Sequence, residues 1–175
     1  MTEHGMLLET DATASLAGQV AIVTGAAKGL GLAITADLAR QGADLVLAGR
    51  DLQALEAHAN ELDQRYDHRA SLVARTDVVS EQAVANMVAE TIRRFGRIDI
   101  LVNAAGGTGP IETAAQDVSL EDFRSILDLN VLGTFLPCKH VIPHLIERGS
   151  GRIVNIAGTS ALRGYRNRVG YSSSK

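Results

Sequence analysis

Short apolar runs alternate with amphipathic helical segments along this chain, and that alternation constrains the fold more than any other feature. The apolar runs are VAIVT (20–24), DLVLA (44–48), SLVAR (71–75), IDILV (98–102) and RIVNI (152–156). They lack the in–out pattern of a half-exposed strand, which indicates strands buried on both faces. A β–α–β rhythm of this kind predicts an α/β fold, a Rossmann-type doubly wound parallel sheet with helices on both faces.

Apolar residues spaced three and four positions apart predict the helices between these strands. The three short stripes are Leu30, Ile34 and Leu38; Leu52, Leu55, Ala59 and Leu62; and Val84, Val88, Ile92 and Phe95. A longer helical region is predicted from about Leu120 to Glu147, with a capping box of Ser119 and Asp122 at its start and Gly149 after its end. Pro137 and Pro143 are expected to bend or interrupt this region.

Composition excludes several classes of partner. The formal net charge of the 175 residues is −3, and no Lys/Arg cluster points to nucleic acid or to an anionic membrane. No apolar run approaches the length of a membrane span. Cys138 is the sole cysteine, so an intramolecular disulfide is excluded and a reducing, cytoplasmic compartment is favoured.

A glycine-rich turn follows the first strand directly. TGAAKGLG (24–31) places Gly25, Gly29 and Gly31 around Lys28 and Leu30, and a helical stripe begins at once. Glycines allow a tight turn and let a pyrophosphate approach main-chain N–H groups at a helix N-terminus. Because the motif lies between a strand and a helix, it indicates a dinucleotide site rather than a turn without a ligand.

The end of the second strand bears on which dinucleotide binds. In this fold an acid about 20 residues after the turn binds the ribose 2′-OH of NAD, whereas a nearby Arg accommodates the 2′-phosphate of NADP. Here Gly49 takes the place expected for the acid, Arg50 follows, and Lys28 adds a second positive charge. These residues favour NADP. Asp51 is the counter-indication, although an N-cap role for the next helix accounts for it.

Several motifs in this order resemble the short-chain dehydrogenase/reductase family from about Leu16 to Lys175. They are TGAAKGLG, TDV (76–78), NAAG (103–106), Asn130, RIVNI, and Tyr171 with Lys175. The resemblance implies that Asp77 and Val78 line an adenine pocket. It also implies that the turn containing Asn103, Ala104 and Gly106 supports the sheet beside the cofactor. Asn130 would hold a water in a proton relay.

The same resemblance implies that Tyr171 is the catalytic acid/base and that Lys175 is its partner and binds the nicotinamide ribose. Residues four apart share a helix face, so both side chains can serve one site. A free phenol has a pKa near ~10, and a nearby ammonium favours the phenolate. In reduction, Tyr171 would donate a proton to the carbonyl oxygen while hydride arrives from the nicotinamide.

One catalytic position departs from the family pattern. The family has a serine thirteen residues before the tyrosine, and here Gly158 stands there within NIAGTS. Losing a donor to a developing oxyanion costs on the order of 10²–10³ in rate. Ser160 is the candidate replacement if the loop is reshaped; the alternative is that Thr159 and Ser160 form an ordinary polar loop.

The resemblance also bears on the extent of the domain. Residues 1–15 are interpreted as a mobile arm and not a signal peptide, and residues 16–175 as the dinucleotide-binding and catalytic domain. Family members continue past the lysine, so the C-terminal strands and helices are expected to be missing. The chain is then a fragment of a longer enzyme and a poor catalyst by itself.

The leading function is hydride transfer between NADP(H) and a small alcohol or carbonyl substrate. The pattern is similar to sugar-acid or polyol dehydrogenases and to 3-oxoacyl reductases, and the choice between them is open. Family members commonly form homo-oligomers, but the oligomeric state here is open as well. The alternative function is a dinucleotide-binding module without turnover, either a degenerate paralogue or a truncated product, motivated by Gly158 and by the terminus at Lys175. His140 and His144 lack a third ligand nearby, so no metal site is predicted.

Overall fold

Five parallel strands form the sheet in the computed structural model, which describes residues 15–66 and 71–175. The strands are β1 (Val20–Thr24), β2 (Asp44–Gly49), β3 (Ser71–Arg75), β4 (Ile100–Asn103) and β5 (Arg152–Asn155). Their order is β3-β2-β1-β4-β5, as in the first five strands of the doubly wound order. The Rossmann-type fold is therefore confirmed. The predicted N-terminal arm lies, except for Ser15, outside the described residues.

Six α-helices connect or follow these strands within the described part of the chain. They are α1 (Gly29–Arg40), α2 (Leu52–Tyr66), α3 (Glu81–Phe95), α4 (Leu120–Leu127), α5 (Gly133–Arg148) and α6 (Val169–Ser174). A π-helical turn over 128–132 joins α4 to α5, and single 3₁₀ turns lie at 115–117 and 159–161.

Both faces of the sheet are covered, because successive residues of each strand point to opposite sides. Ala21 and Val23 of β1 pack in one core with α1 and α2. Val20 and Ile22 pack in the other core with α3 and α5. All five residues of β1 are buried, which explains why the strand sequences lack in–out alternation.

The buried face of α1 differs from the predicted stripe. Leu30 is 65% exposed, and the buried residues of this helix are Gly31, Thr35 and Ala39. Small residues are needed here because the helix lies directly against the turn after β1, so that a Cβ at Gly31 would collide with the Gly25 carbonyl. In the other two stripes Leu55, Ala59, Leu62, Val84 and Val88 are buried, Ile92 and Phe95 are partly buried against the core, and Leu52 is exposed.

The long helical region breaks at a different place from the one predicted. Ser119 caps α4 by accepting from the Asp122 amide at 3.0 Å, as predicted. The interruption, however, is the π turn at 128–132, and α5 continues through both Pro137 and Pro143. The loss of one N–H at each proline is tolerated because Leu136 and Val141 are buried against the sheet. The helix ends at Gly149, whose φ is +72°.

The chain leaves β1 towards β2 on one side, whereas β4 lies on the other side of β1. This reversal opens a crevice at the carboxyl ends of the two strands, where ligands of such sheets bind. Gly25 follows β1 with φ +70°, and a Cβ there would lie 2.8 Å from the Ala105 backbone after β4. Glycine at this position lets the two loops meet at the crevice.

Candidate active site

A cavity of about 400 Å³ opens at this crevice. Six of the predicted cofactor residues line it: Gly25, Lys28, Arg50, Asp77, Val78 and Gly106. Ala27, Gly49, Asp51, Ala54, Thr76, Ala105 and Leu129 line it too. Thr76 and Ala105 lie inside the TDV and NAAG motifs, so those motifs could have identified them. Leu129 carries no comparable sequence signal, because the π turn brings it to the cavity.

The seven other predicted cofactor residues lie outside the cavity lining: Gly29, Leu30, Gly31, Asn103, Ala104, Tyr171 and Lys175. Gly29 and Leu30 are exposed in the first turn of α1. Asn103 is buried in the sheet, where its Nδ2 donates to Asn155 Oδ1 at 2.9 Å and to Cys138 Sγ at 3.2 Å. The geometry gives Asn103 a supporting place between β4, β5 and α5.

The start of α1 offers unpaired main-chain donors to an anion. Its N-cap residue, Lys28, has an extended backbone and makes no side-chain capping hydrogen bond. The first N–H groups of a helix have no partner within the helix, and the helix dipole adds positive potential there. With Gly25 fitting tightly against Ala105 and Lys28 exposed beside it, the residues present fit the pyrophosphate of a dinucleotide.

The end of β2 carries one charge of each sign, Arg50 and Asp51, and is sterically open. The Ala54 amide donates to Asp51 Oδ1 at 3.1 Å, so Asp51 caps α2 as predicted. Arg50 is exposed at the cavity. A Cβ at Gly49 would lie 3.6 Å from Leu55, an ordinary van der Waals distance. An acidic side chain would therefore fit at this position, and steric hindrance does not explain its absence.

Tyr171 lies in α6, and Lys175 directly follows that helix. Neither residue lines the dinucleotide cavity, but Lys175 approaches its wall at Gly106. Lys175 Nζ donates to the Ile156 carbonyl at 3.0 Å and lies 3.5 Å from where a Gly106 Cβ would be. Burial lowers the pKa of the Lys175 ammonium from its ordinary value. The lysine thus connects the end of β5 with the cavity wall.

Asn130 holds the loop after β4 against α6. Its Nδ2 donates to the Gly107 carbonyl at 2.9 Å and to Ser174 Oγ at 2.8 Å. Its Oδ1 accepts from the Gly107 amide at 3.0 Å. All the polar atoms of this buried side chain are therefore engaged in positioning other parts of the site.

Ser160 Oγ and Tyr171 Oη both lie close to the position that a side chain at Gly158 would occupy. A Cβ at Gly158 would be 2.9 Å from Tyr171 Oη and 3.4 Å from Ser160 Oγ. Ser160 is 4% exposed, and its Oγ has no hydrogen-bond partner among the residues that the structure describes. Thr159 instead bonds Tyr165 Oη at 3.1 Å. Of the two candidate hydroxyls, Ser160 is the one that remains available near Tyr171.

One protein family matches the part of the chain that forms this sheet and its cavity. The short chain dehydrogenase model matches residues 19–175. The chain belongs to the short-chain dehydrogenase family. This match confirms the resemblance derived from the motifs and covers every element from β1 to α6.

Other short-chain dehydrogenases are similar to this chain in sequence and structure. A D-threitol dehydrogenase of Mycolicibacterium smegmatis is 40% identical over 169 residues, covering 96% of this chain and 63% of the relative. The structure of an NAD⁺-bound xylitol dehydrogenase superposes with a TM-score of 0.87 at 35% identity, covering 91% of this chain and 60% of that one. The structure of an alcohol dehydrogenase from the archaeon Thermococcus sibiricus, complexed with 5-hydroxy-NADP, superposes with a TM-score of 0.82 at 30% identity. The match covers 89% of this chain and 65% of that one.

These comparisons bear on the length and the cofactor. The chain spans 54% to 67% of the length of the curated short-chain dehydrogenases that it matches. One of the two solved structures holds NAD⁺ and the other an NADP derivative, so the fold accommodates a nicotinamide dinucleotide of either kind. Within 15–66 and 71–175, no helix combines the length and apolar character needed to cross a membrane.

Proposed function

We propose that this chain carries the cofactor site and the acid/base of an NADP(H)-dependent oxidoreductase that interconverts an alcohol with a ketone or aldehyde. The observation that carries the proposal is the position of Tyr171. Its hydroxyl and the buried Ser160 Oγ, which has no partner in the described part of the chain, both lie close to the position of a Cβ at Gly158. Lys175 directly follows the same short helix, and its Nζ approaches Gly106 of the dinucleotide cavity.

Each residue has a role that follows from its place. Tyr171 gives a proton to the carbonyl oxygen in reduction and takes one from the hydroxyl in oxidation. Ser160 donates a hydrogen bond to the same oxygen as negative charge develops on it. A nicotinamide dinucleotide held at the cavity by Gly25, Lys28 and Arg50 would supply the hydride for the carbonyl carbon, or take it up in the reverse direction. Lys175 orients Tyr171 and binds the nicotinamide ribose, and Asn130 supports the proton relay.

The preference for NADP rests on charge at the end of β2. Arg50 and Lys28 both line the cavity. Asp51 lines it too, but its carboxylate is engaged as the cap of α2. Two cations beside the ribose compensate the charge of a 2′-phosphate, and Gly49 leaves room for that group. The remaining cofactor-binding residues are Gly25, Gly29, Leu30, Gly31, Asp77, Val78, Asn103, Ala104 and Gly106.

The substrate is proposed to be a small polyol or sugar derivative. Relatives named as D-threitol and L-fucose dehydrogenases, and a structural neighbour named as a xylitol dehydrogenase, support this class over 3-oxoacyl substrates. The alternative of a dinucleotide-binding module without turnover is not favoured, since Ser160 supplies the hydroxyl whose absence at Gly158 motivated it.

Turnover tests the proposal directly. The protein, in the length that its natural host makes, is assayed with NADP(H) on a panel of polyols, sugars and their oxo forms. We expect Tyr171→Phe to lower kcat by about 10²–10⁴ and Ser160→Ala by about 10²–10³, with the Kd for NADPH unchanged in both. Ser173→Ala is the matched control, because Ser173 is exposed on the same helix. NADPH binding without turnover of any panel member would establish the binding module instead.

A further inference from the structure

We propose that the substrate carries an anionic oxygen group, a carboxylate, sulfonate or phosphate ester, and that Arg168 binds this group beside Tyr171. The inference deepens the proposed function and rests on it, because it concerns the substrate of the same site. It derives from a second cavity, from an arginine without an ion-pair partner, and from the charge of the surrounding segment.

The second cavity lies next to the reacting group. It has a volume of about 350 Å³, and its lining is Thr159, Ser160, Tyr165, Arg168 and Tyr171. The proposed acid/base Tyr171, the proposed oxyanion donor Ser160 and the guanidinium of Arg168 therefore line the same cavity. Arg168 does not line the dinucleotide cavity, so the phosphates of the cofactor do not account for its position.

Arg168 is half-buried yet unpaired. The arginines that form ion pairs in the described part of the chain are Arg40, Arg93, Arg97 and Arg148. No carboxylate among residues 15–66 and 71–175 lies within ion-pair distance of Arg168. A partly desolvated charge without a partner is unfavourable, and a planar guanidinium binds a carboxylate or phosphate through two parallel hydrogen bonds.

The part of the cavity wall formed by Thr159 and Tyr165 is joined by a small group of hydrogen bonds. Arg163 Nε and Nη2 both donate to Tyr165 Oη at 3.3 Å, and the guanidinium lies 5.2 Å from the Tyr165 ring centroid. Thr159 bonds the same hydroxyl at 3.1 Å. Arg163 is thereby engaged by Tyr165, which leaves Arg168 as the guanidinium that faces the cavity.

The surrounding segment carries charge of one sign. Residues 148–175 contain six Lys or Arg residues and no Asp or Glu, whereas the whole chain has 17 basic and 20 acidic residues. The rest of the chain is therefore strongly acidic. No acidic side chain lines the second cavity, so nothing within it opposes the entry of an anion.

Matched compounds test the inference. One secondary alcohol skeleton is offered with a carboxylate, sulfonate, phosphate-ester or neutral methyl-ester end group, and kcat/KM is measured for each at low and high salt. We expect the best anionic compound to exceed the ester by about 10- to 100-fold, mainly through KM, with a smaller ratio at high salt. The ranking of the three anions identifies the group.

Variants attribute that preference to one residue. Arg168→Met should remove most of the ratio and Arg168→Lys should keep part of it. Arg166→Met, an exposed neighbour, should leave it intact. Equal kcat/KM for anion and ester, or a preference that survives Arg168→Met, overturns the inference while any turnover upholds the proposed function.

A binding arm keeps the inference testable if turnover fails. The same compounds are titrated by calorimetry into the Tyr171→Phe variant saturated with NADP⁺, which needs no turnover. Tighter binding of the anion that is lost in the additional Arg168→Met change supports the inference even if no compound is turned over. Equal affinity for anion and ester refutes it, whatever the assay of activity shows.

Discussion

The polar side chains around Tyr171 differ in whether the fold already satisfies them. Asn130 has every polar atom bonded to neighbouring protein groups, and it therefore holds geometry. The protein leaves two other groups unsatisfied in its described part: Ser160 Oγ, which is buried and has no hydrogen-bond partner, and Arg168, which has no ion pair. A buried polar group left unpaired costs on the order of 1–3 kcal/mol, which a bound oxygen atom would recover.

A second residue-scale feature, Asp99, concerns stability rather than chemistry. Its carboxylate accepts from the Val20 amide at 2.9 Å and from Arg97 at 2.7 Å, and Arg148 Nε lies 3.1 Å away. Burial alone raises the pKa of Asp99, but the hydrogen bonds from Arg97 and Val20 and the two nearby charges outweigh it. The folded-state pKa of Asp99 thus lies below its ordinary value of 3.8.

This shift predicts how the stability depends on pH. Because the folded-state pKa of Asp99 is depressed, its contribution is fully present above the unfolded-state pKa and is lost as pH falls through the folded-state pKa. Asp99→Asn should lower the free energy of unfolding by about 1–3 kcal/mol at pH 7, less than for a fully buried pair, because each arginine is 34% exposed.

Urea unfolding at a series of pH values measures the Asp99 effect. The difference from the unaltered protein should shrink as pH falls below 3.8, the ordinary value. Asp117→Asn serves as the control, since Asp117 is exposed. A difference that stays constant down to pH 2 would show that Asp99 contributes packing rather than charge.

Among the elements, the π turn at 128–132 does most to assemble the site. It places Asn130 against α6 and Leu129 at the dinucleotide cavity. It also starts α5 at Gly133, which is buried against Val78, a residue of the cavity lining. The turn therefore couples the packing of α5 to the shape of the cofactor site.

Gly133→Ala tests this coupling. A Cβ at Gly133 would lie 2.7 Å from Val78 Cγ2, and Val78 has little rotamer freedom because it is β-branched. We expect a loss of about 1–3 kcal/mol in unfolding free energy, as for other overpacked sites, together with weaker NADPH binding. Chemical denaturation and fluorescence titration measure the two effects.

The control for this test is Gly164→Ala, because a Cβ there would meet nothing within 4 Å. It should change neither quantity. If Gly133→Ala lowers stability but leaves the Kd for NADPH unchanged, the packing of α5 is not coupled to the cofactor site.

The elements also show which parts of the fold the sequence could predict. The strand, glycine turn and helix start at 20–31 depend on local chemistry, so they were predictable together with the capping residues Asp51 and Ser119. The break at 128–132 depends on Asn130 bonding to Gly107 and Ser174, which are distant in the chain. Pro137 and Pro143 gave a stronger local signal for an interruption, but α5 continues through both. Burial of this helix against the sheet outweighs the free-energy cost of the two prolines.

The candidate site was predictable to a similar extent. The motifs identified Tyr171, Lys175, Arg50 and the glycine turn, because each lies within a short pattern of fixed spacing. They left the choice between Ser160 and Thr159 open, since only the path of the loop decides which hydroxyl faces Tyr171. Arg168 was not identified, because a single arginine in a basic segment forms no sequence motif. Only the folded structure shows that it lines a cavity together with Tyr171.

At the scale of the whole molecule, the residues proposed for cofactor binding and catalysis lie at the carboxyl ends of the strands. The carboxyl ends of β1, β2 and β4 meet at the dinucleotide cavity, and the loop after β5 carries the second cavity. The amino ends of the strands hold the Asp99 ion pairs instead. Positive charge at the cofactor edge is concentrated on Lys28 and Arg50, and this placement is the basis for the proposed NADP preference.

The central claim is tested most directly by titrating NADPH and NADH separately into the unaltered protein, into Arg50→Asp and into Arg152→Asp. Arg152 lies at the amino end of β5, so its replacement changes the net charge equally but at the opposite edge. We predict that NADPH binds about 10- to 100-fold more tightly than NADH, as expected for a charged hydrogen bond. Arg50→Asp should abolish this preference and Arg152→Asp should retain it. Equal affinities in the unaltered protein, or a preference that survives Arg50→Asp, would contradict the account.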